Sequence, residues 1–574
     1  MNKSESKRPL VNNSFAALRQ SGAVYVDKTA FVQQIADSNP PLMLTRPRHF
    51  GKSMLVSALE ELFLHGTAPY DGHDSYFKGL AIEQWHDRPP FHGPYYVLRL
   101  DFAALNAGCA TVAQFRQNLI AAIVEFCRTH ELSLDEALPD WLPEAQPNLG
   151  HVLRKLFKAV PHNSLVLLVD DYDAPVLAHA DDEKELEACK PLLLCLFVSI
   201  KCHYDKCRCV FFTGTTRYVD LDPLGGGHNF MNDSQEEYLA TCCGFTRSEL
   251  KHYFEPQQQH ALALRTGCLP QSVQADQIDA LLDELESHYG GYSFDGCPEH
   301  KVFAPEPVLR FLAHPEVQNW PNPCVEEGLG APQLLKVALA RVNMRRLLEQ
   351  FNDGEFKVNG LNIWRASVHN QEVDALAFFF ALGYLTLSQP YAVGYSAHLT
   401  YPNQETKEAF IKLVEQRTFK EPDRYTTEFI KQAPEILASL DPEQIRSYFN
   451  QLCAQLSDAP CPINDEGVVG ALLSLHLQRA GLKSDLRVRR ANRRAECCVE
   501  LQELQLKLTF VCKFEPSAEP KPLDDMLAEG IADIKCCIAD LKSQDEFQQV
   551  YFALVFCADP EVRNFARIAR VDAK

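Results

Sequence analysis

The stretch Leu165-Val166-Leu167-Leu168-Val169, followed at once by Asp170 and Asp171, constrains this chain more than any other. Five aliphatic residues in a row leave neither face of a strand polar. Such a strand is covered on both sides, as the central strand of a parallel α/β sheet is. Its acids then stand where the apolar run ends. Two roles are open to them: capping a turn, with Asp173 as a third acid, or holding a metal ion next to a bound polyanion.

The surrounding pattern agrees with an α/β sheet. Leu42-Met43-Leu44, Tyr96 to Phe102 and Val210 to Thr213 read as further strands. Ser53 to Leu64 reads as a helix, with Leu55, Leu59, Leu62 and Phe63 at helical spacing and Gly66 as its stop. We expect a parallel-sheet α/β domain over residues 1–255. From 256 to 439 the strands thin out, and segments such as Ile278 to Leu285 and Leu334 to Phe351 predict a helical middle domain. Residues 440–574 predict a small α/β domain in the order helix, three strands, helix, strand. Its segments are Val468 to Leu477, Leu486 to Val488, Cys497 to Leu501, Leu506 to Phe514, Leu523 to Leu541 and Tyr551 to Phe556. Three units suit 574 residues, because a single core stops growing well below that length.

The first strand and helix are joined by Arg46-Pro47-Arg48-His49-Phe50-Gly51-Lys52-Ser53. Gly-Lys-Ser between a strand and a helix is the arrangement of a phosphate-binding loop. The first N–H groups of the helix are unpaired and point at the phosphates, and the helix dipole adds to their field. In this reading Lys52 meets the β- and γ-phosphates of ATP, Ser53 gives its hydroxyl to Mg2+, and Gly51 lets the backbone come close. Asp170 completes the magnesium site and Asp171 orients the attacking water. Thr213, at the end of the next apolar strand, senses the γ-phosphate, with Arg217 near the nucleotide. Arg46 stands where the pattern GxxxxGK(S/T) has its first glycine.

Several further stretches together resemble one family, the AAA-ATPase-like proteins that carry a PD-(D/E)XK nuclease-like domain at the C-terminus. Tyr25-Val26-Asp27-Lys28-Thr29 resembles its YVDKT, Arg46 to Ser53 its RPRRFGKS, and Val169 to Asp173 its IDEYD. Phe212-Thr213-Gly214 and Cys243-Gly244-Phe245-Thr246 resemble FTG and GFT. Gly291 to Phe294, Val302 to Pro305, Gly383 to Thr386 and Tyr401 to Glu405 resemble GYSF, VYNP, GYLT and PNEE. The ordered set covers nearly the whole chain. It implies that arginine belongs at position 46, so Arg46 joins Gly51, Lys52, Ser53 and Asp170 among the cofactor-binding residues. It also implies an ATPase.

Two departures qualify that implication. Asp171 stands where the family has glutamate, one methylene or about 1.5 Å short. A displacement of ~1 Å can cost roughly a hundredfold in rate. ATP binding with slow hydrolysis is the expectation, and a nucleotide-dependent switch with negligible hydrolysis is the alternative. In the tail, the resemblance matches Glu466, Glu496 and Lys513 to the acids and the lysine of a nuclease site. Val511 stands where a second metal-binding acid belongs. Valine cannot ligate magnesium, so the tail is expected to keep the fold and to have lost cleavage; an ATP-gated nuclease is the competing reading.

Composition narrows the partners. A net charge of -20 disfavours whole-surface binding to nucleic acid or anionic membrane. Nucleic acid remains a partner open to the C-terminal domain, because Arg487, Arg489, Arg490, Arg493 and Arg494 adjoin the nuclease-like site. The apolar stretch Val373 to Leu387 is interrupted by Asp374 and too short to span a bilayer. With no leader-like start, the protein reads as cytoplasmic, with its 20 cysteines reduced. No CxxC pair occurs, and the group Cys202, Cys207 and Cys209 reads as small buried hydrophobes. The sequence leaves the oligomeric state open.

Overall fold

The computed structural model describes residues 9–10, 14–38, 41–84, 95–133, 148–180, 182–216, 231–232, 234, 236–315, 355–359, 375–390, 396–418, 427–454, 466–489, 494–515, 521–540, 547–559 and 564–572. The chain divides into two compact units, residues 1–338 with 358–407 and residues 339–357 with 408–574. Among the described residues no helix is long and apolar enough to cross a membrane.

The first unit is built on a five-stranded parallel sheet. Its strands are β1 (Leu42–Thr45), β2 (Tyr96–Asp101), β3 (Leu165–Asp170), β4 (Cys207–Gly214) and β5 (Met231–Asn232). The order across the sheet is β2-β3-β4-β1-β5. As the aliphatic run requires, every residue of β3 is buried. The order has a consequence for chemistry. Strand β4 lies between the phosphate-loop strand and the acidic strand, pairing Leu44 with Thr213 on one side and Val169 with Phe212 on the other. Helix α1 (Lys52–His65) begins directly after the loop and ends at Gly66.

A boundary at 255 was expected, and the core runs across that point. Val24 and Val26 pack in one cluster with Leu250, Phe254, Leu282, Leu285 and Phe311. That cluster joins the chain's first segment to the helices α2 (Ala275–Tyr289) and α3 (Pro305–Ala313). The stretches that resemble the family also interlock here. Gly291 has φ +79, and a Cβ there would stand 1.9 Å from the carbonyl oxygen of Pro402, so only glycine fits. Asn403 then donates to the Gly290 carbonyl at 2.8 Å and accepts from the Thr406 N–H at 3.0 Å. The helix expected over Leu334 to Phe351 lies outside the described residues.

The second unit holds a mixed five-stranded sheet. Its strands are β6 (Lys483–Arg489), β7 (Arg494–Leu501), β8 (Leu506–Glu515), β9 (Gln548–Cys557) and β10 (Asn564–Asp572). Strands β6, β7 and β8 form an antiparallel meander, β9 is parallel to β8, and β10 is antiparallel to β9. The parallel step is made through helix α5 (Leu523–Asp540), and helix α4 (Glu466–Arg479) precedes the meander. The expected order is present, but β9 does not close the domain. β10 adds an edge strand whose sequence, NFARIARVD, carries two arginines and lacks an aliphatic run.

Candidate functional site

The phosphate loop is held by its arginine. Arg46 is 1% exposed, and its guanidinium donates to the carbonyls of Thr45 at 2.8 Å, Ser234 at 2.7 Å and Leu239 at 2.9 Å. Its other face lies 4.2 Å from the centre of the Phe294 ring. The side chain expected to help bind the cofactor is therefore occupied with protein carbonyls. In this structure Arg46 braces the loop from beneath.

The rest of the loop is open to a ligand. Gly51 has φ 98, a left-handed conformation, and no atom stands within 4 Å of where its Cβ would be. Glycine is needed there for its backbone angle and leaves the first N–H groups of α1 uncovered. His49, with φ 64, also adopts a left-handed conformation and pairs with Glu306 of α3. The Lys52 ammonium lies inside the loop, donating to the carbonyls of Arg46 at 3.1 Å and Pro47 at 3.0 Å, and is 3.9 Å from Asp171 Oδ1.

The acids meet the loop across β4. Asp170 is 1% exposed and accepts a hydrogen bond from the hydroxyl of Thr213 at 2.6 Å. Burial first, then the charge of Asp171, push the Asp170 carboxyl above the ordinary carboxylate value, against the opposing influence of the Thr213 and Ser53 hydroxyls. Asp171, at φ 48, is turned towards Lys52 and is about a quarter exposed. Asp173 is fully buried, and its Oδ2 accepts from the backbone of Thr215 and Thr216 and from the Thr216 hydroxyl. The turn-capping role weighed for all three acids thus belongs to Asp173. Sequence spacing alone did not separate it from the other two.

Thr213 lies at the end of β4, beside the acids. Its hydroxyl donates to Asp170 and accepts from the Asp171 N–H at 3.2 Å, and the residue is wholly buried. A hydroxyl has one proton to donate, and here Asp170 receives it. Thr213 therefore positions the two acids in this structure. Arg217 lies outside the described residues.

Sequence reasoning passed over a pocket beside the loop. Tyr25, Val26, Met54, Phe245, Pro305 and Leu309 are among the residues lining an apolar cavity that reaches Phe50 and Gly51. The signal was available, since Tyr25 and Val26 belong to one of the motifs quoted above.

In the second unit, the structure brings two of the three nuclease-like residues to one face. Glu496 pairs directly with Val511 across the meander, and Lys513 follows two residues on. Helix α5 covers that face: Val511 packs with Ile534, Tyr551 and Ala553, and the Lys513 ammonium is 2.6 Å from Asp533 Oδ2. Glu466 opens α4, which packs on the other face, where a side chain at Gly470 would meet Ala495 and Leu486. Val511 is fully enclosed, so an acid introduced there would enter an apolar cluster. Arg490 and Arg493, and the side chains of Arg487, Arg489 and Arg494, lie outside the described residues.

A loop of this kind at the end of a parallel sheet, facing a buried acidic strand across an intervening one, is consistent with an α/β nucleotide-binding domain. Comparison with known proteins agrees. Residues 9–222 match the model of a family described as predicted AAA-ATPase. The chain is also 26% identical over 422 residues to a protein of Azotobacter chroococcum mcd 1, an uncharacterized protein in the vnfD 5′ region, with 73% of this chain and 72% of that one covered.

The buried hydroxyl of Thr213 gives a direct test. Thr213→Val leaves the Asp170 and Asp171 groups without it and should lower the stability of the first unit by about 1–3 kcal/mol, while Thr213→Ser should be close to wild type. Thermal melts of the three proteins check this. A valine variant that melts like wild type would return the hydroxyl to the nucleotide.

Proposed function

We propose that the first unit binds ATP with Mg2+ and hydrolyses it slowly. The approach of the loop to the acidic strand carries this reading: the Lys52 ammonium lies 3.9 Å from Asp171 Oδ1, at the strand end where Asp170 also stands. Ser53 and Asp170 are both oxygen donors, as magnesium prefers. They would hold the ion, which when bound neutralises phosphate charge and orients the γ-phosphoryl group. Gly51 and the first turn of α1 supply N–H groups to the phosphates, and Lys52 supplies a cation. The apolar pocket of Tyr25 and Met54 is the place for the base. Asp171 orients the attacking water from a position one methylene short of glutamate, which accounts for slow turnover.

Removing the cation should weaken binding. A charge-assisted bond to phosphate is worth ~1.5–3 kcal/mol, so Lys52→Ala should raise the Kd of a fluorescent ATP analogue roughly ten- to a hundredfold without unfolding the protein. In the same series Asp171→Glu should raise the steady-state rate of phosphate release. Unchanged affinity in the first variant would contradict the phosphate-loop reading. A lower rate in the second would mean that the site is adapted to aspartate.

For the second unit we propose a PD-(D/E)XK-like fold without cleavage. A dication needs more than one carboxylate to fix it. Here Val511 fills an acid's place inside an apolar cluster, and Lys513 is paired with Asp533. Plasmid DNA and single-stranded RNA should remain intact with magnesium or manganese. Cleavage abolished by Lys513→Ala would instead establish Glu496 and Lys513 as a working site. Val511→Glu is expected to destabilise the unit, since it buries a carboxylate among Ile534, Tyr551 and Ala553.

A further inference from the structure

We propose that the turn running from Asp295 to His300 binds one divalent metal ion of the zinc class through the Asp295 carboxylate, the Cys297 thiolate and a ring nitrogen of His300. Among the described residues, these are the three metal-binding side chains whose ligand atoms converge, all within 4.8 Å of one another. A tetrahedral ion with bonds of about 2.0–2.3 Å needs its ligands roughly 3.5 Å apart. Small side-chain rotations therefore close the site.

The turn is already shaped for this. Gly296 has φ +81, and a Cβ there would come within 2.2 Å of the Gln389 carbonyl oxygen. Asp295 is nine-tenths buried, and its Oδ1 accepts from the Cys297 N–H at 2.9 Å and the Ser293 hydroxyl at 3.3 Å. Ser293 is itself fixed: its N–H donates to the Thr386 hydroxyl at 2.7 Å, and its carbonyl accepts from that hydroxyl at 2.9 Å. These bonds leave Asp295 Oδ2 directed at His300 Nδ1, 2.5 Å away. Such outer contacts orient a ligand before the ion arrives. The short 3-10 turn Pro298–His300 brings the histidine back over the cysteine.

The donor set selects the ion. Thiolate with imidazole suits zinc and its neighbours and is poor for magnesium or calcium, which favour oxygen. One thiolate and one carboxylate neutralise a dication. The fourth position falls to water or to Glu299, whose Oε2 lies 2.8 Å from the Cys297 sulfur. The adjoining residue, Phe294, is the ring against which Arg46 packs, so an ion here would stiffen the support of the phosphate loop. The inference does not depend on what that loop binds.

The test is a cobalt(II) titration of the whole chain, reduced and stripped with chelator. We expect one equivalent to produce the near-ultraviolet charge-transfer band of a thiolate–cobalt bond, and zinc to displace it. Cys297→Ser should abolish the band. His300→Ala should weaken binding at least tenfold. Cys202→Ser, which alters an exposed cysteine beside His203, should leave the band unchanged. Absence of the band in wild type, or its survival in Cys297→Ser, would overturn the site and leave Asp295 and His300 as an ion pair that closes the turn.

Discussion

The buried guanidinium of Arg46 is the interaction on which the first unit's site depends. A charged group removed from water is costly unless its donors are satisfied. Here three carbonyls take the protons of its two terminal nitrogens, from Thr45, Ser234 and Leu239, and an aromatic ring covers its face. Ser234, Leu239 and Phe294 come from distant parts of the chain, so the loop cannot take its shape until they are assembled. The same holds for its neighbours. The Phe50 carbonyl accepts from the Gly244 N–H, the Phe50 ring meets Tyr292 and Phe294 edge-on, and Pro47 rests where a side chain at Gly383 would be. A glycine at position 46 would give a more pliant loop. An arginine makes the loop part of the core.

That rigidity serves a site under electrostatic strain. Asp170, Asp171 and Asp173 crowd the end of one strand, and burial with mutual repulsion raises the carboxyls of Asp170 and Asp173 above their usual range. A cation relieves both effects. Thr213 holds the two leading acids at the right places, and Lys52 faces them from the loop.

Much of this was legible in the sequence. The aliphatic run of β3, the Gly-Lys-Ser turn and the spacing of α1 each obey a local rule, and each element appears within a residue or two of expectation. What local rules do not carry is where a side chain points. The motifs mark Arg46 and Thr213 but not their protein partners: carbonyls for the first, the two acids for the second. Nor do local patterns show that Val24 and Val26 find their partners more than two hundred residues away. Strand β10 was missed because an edge strand needs fewer apolar residues than a central one. The turn at Asp295 was passed over because its ligands follow no CxxC spacing, and only the fold of the turn brings them together.

The central claim is that the loop around Lys52 and the carboxylate of Asp170 form one magnesium-dependent ATP site. Calorimetric titration of ATP onto the whole chain, with magnesium and then with chelator, tests it most directly when repeated on Asp170→Asn. The account predicts one saturable site per chain in wild type, tighter with magnesium than without, and an Asp170→Asn variant whose affinity no longer responds to the metal. Absence of saturable binding, or a magnesium effect that survives in Asp170→Asn, would contradict it.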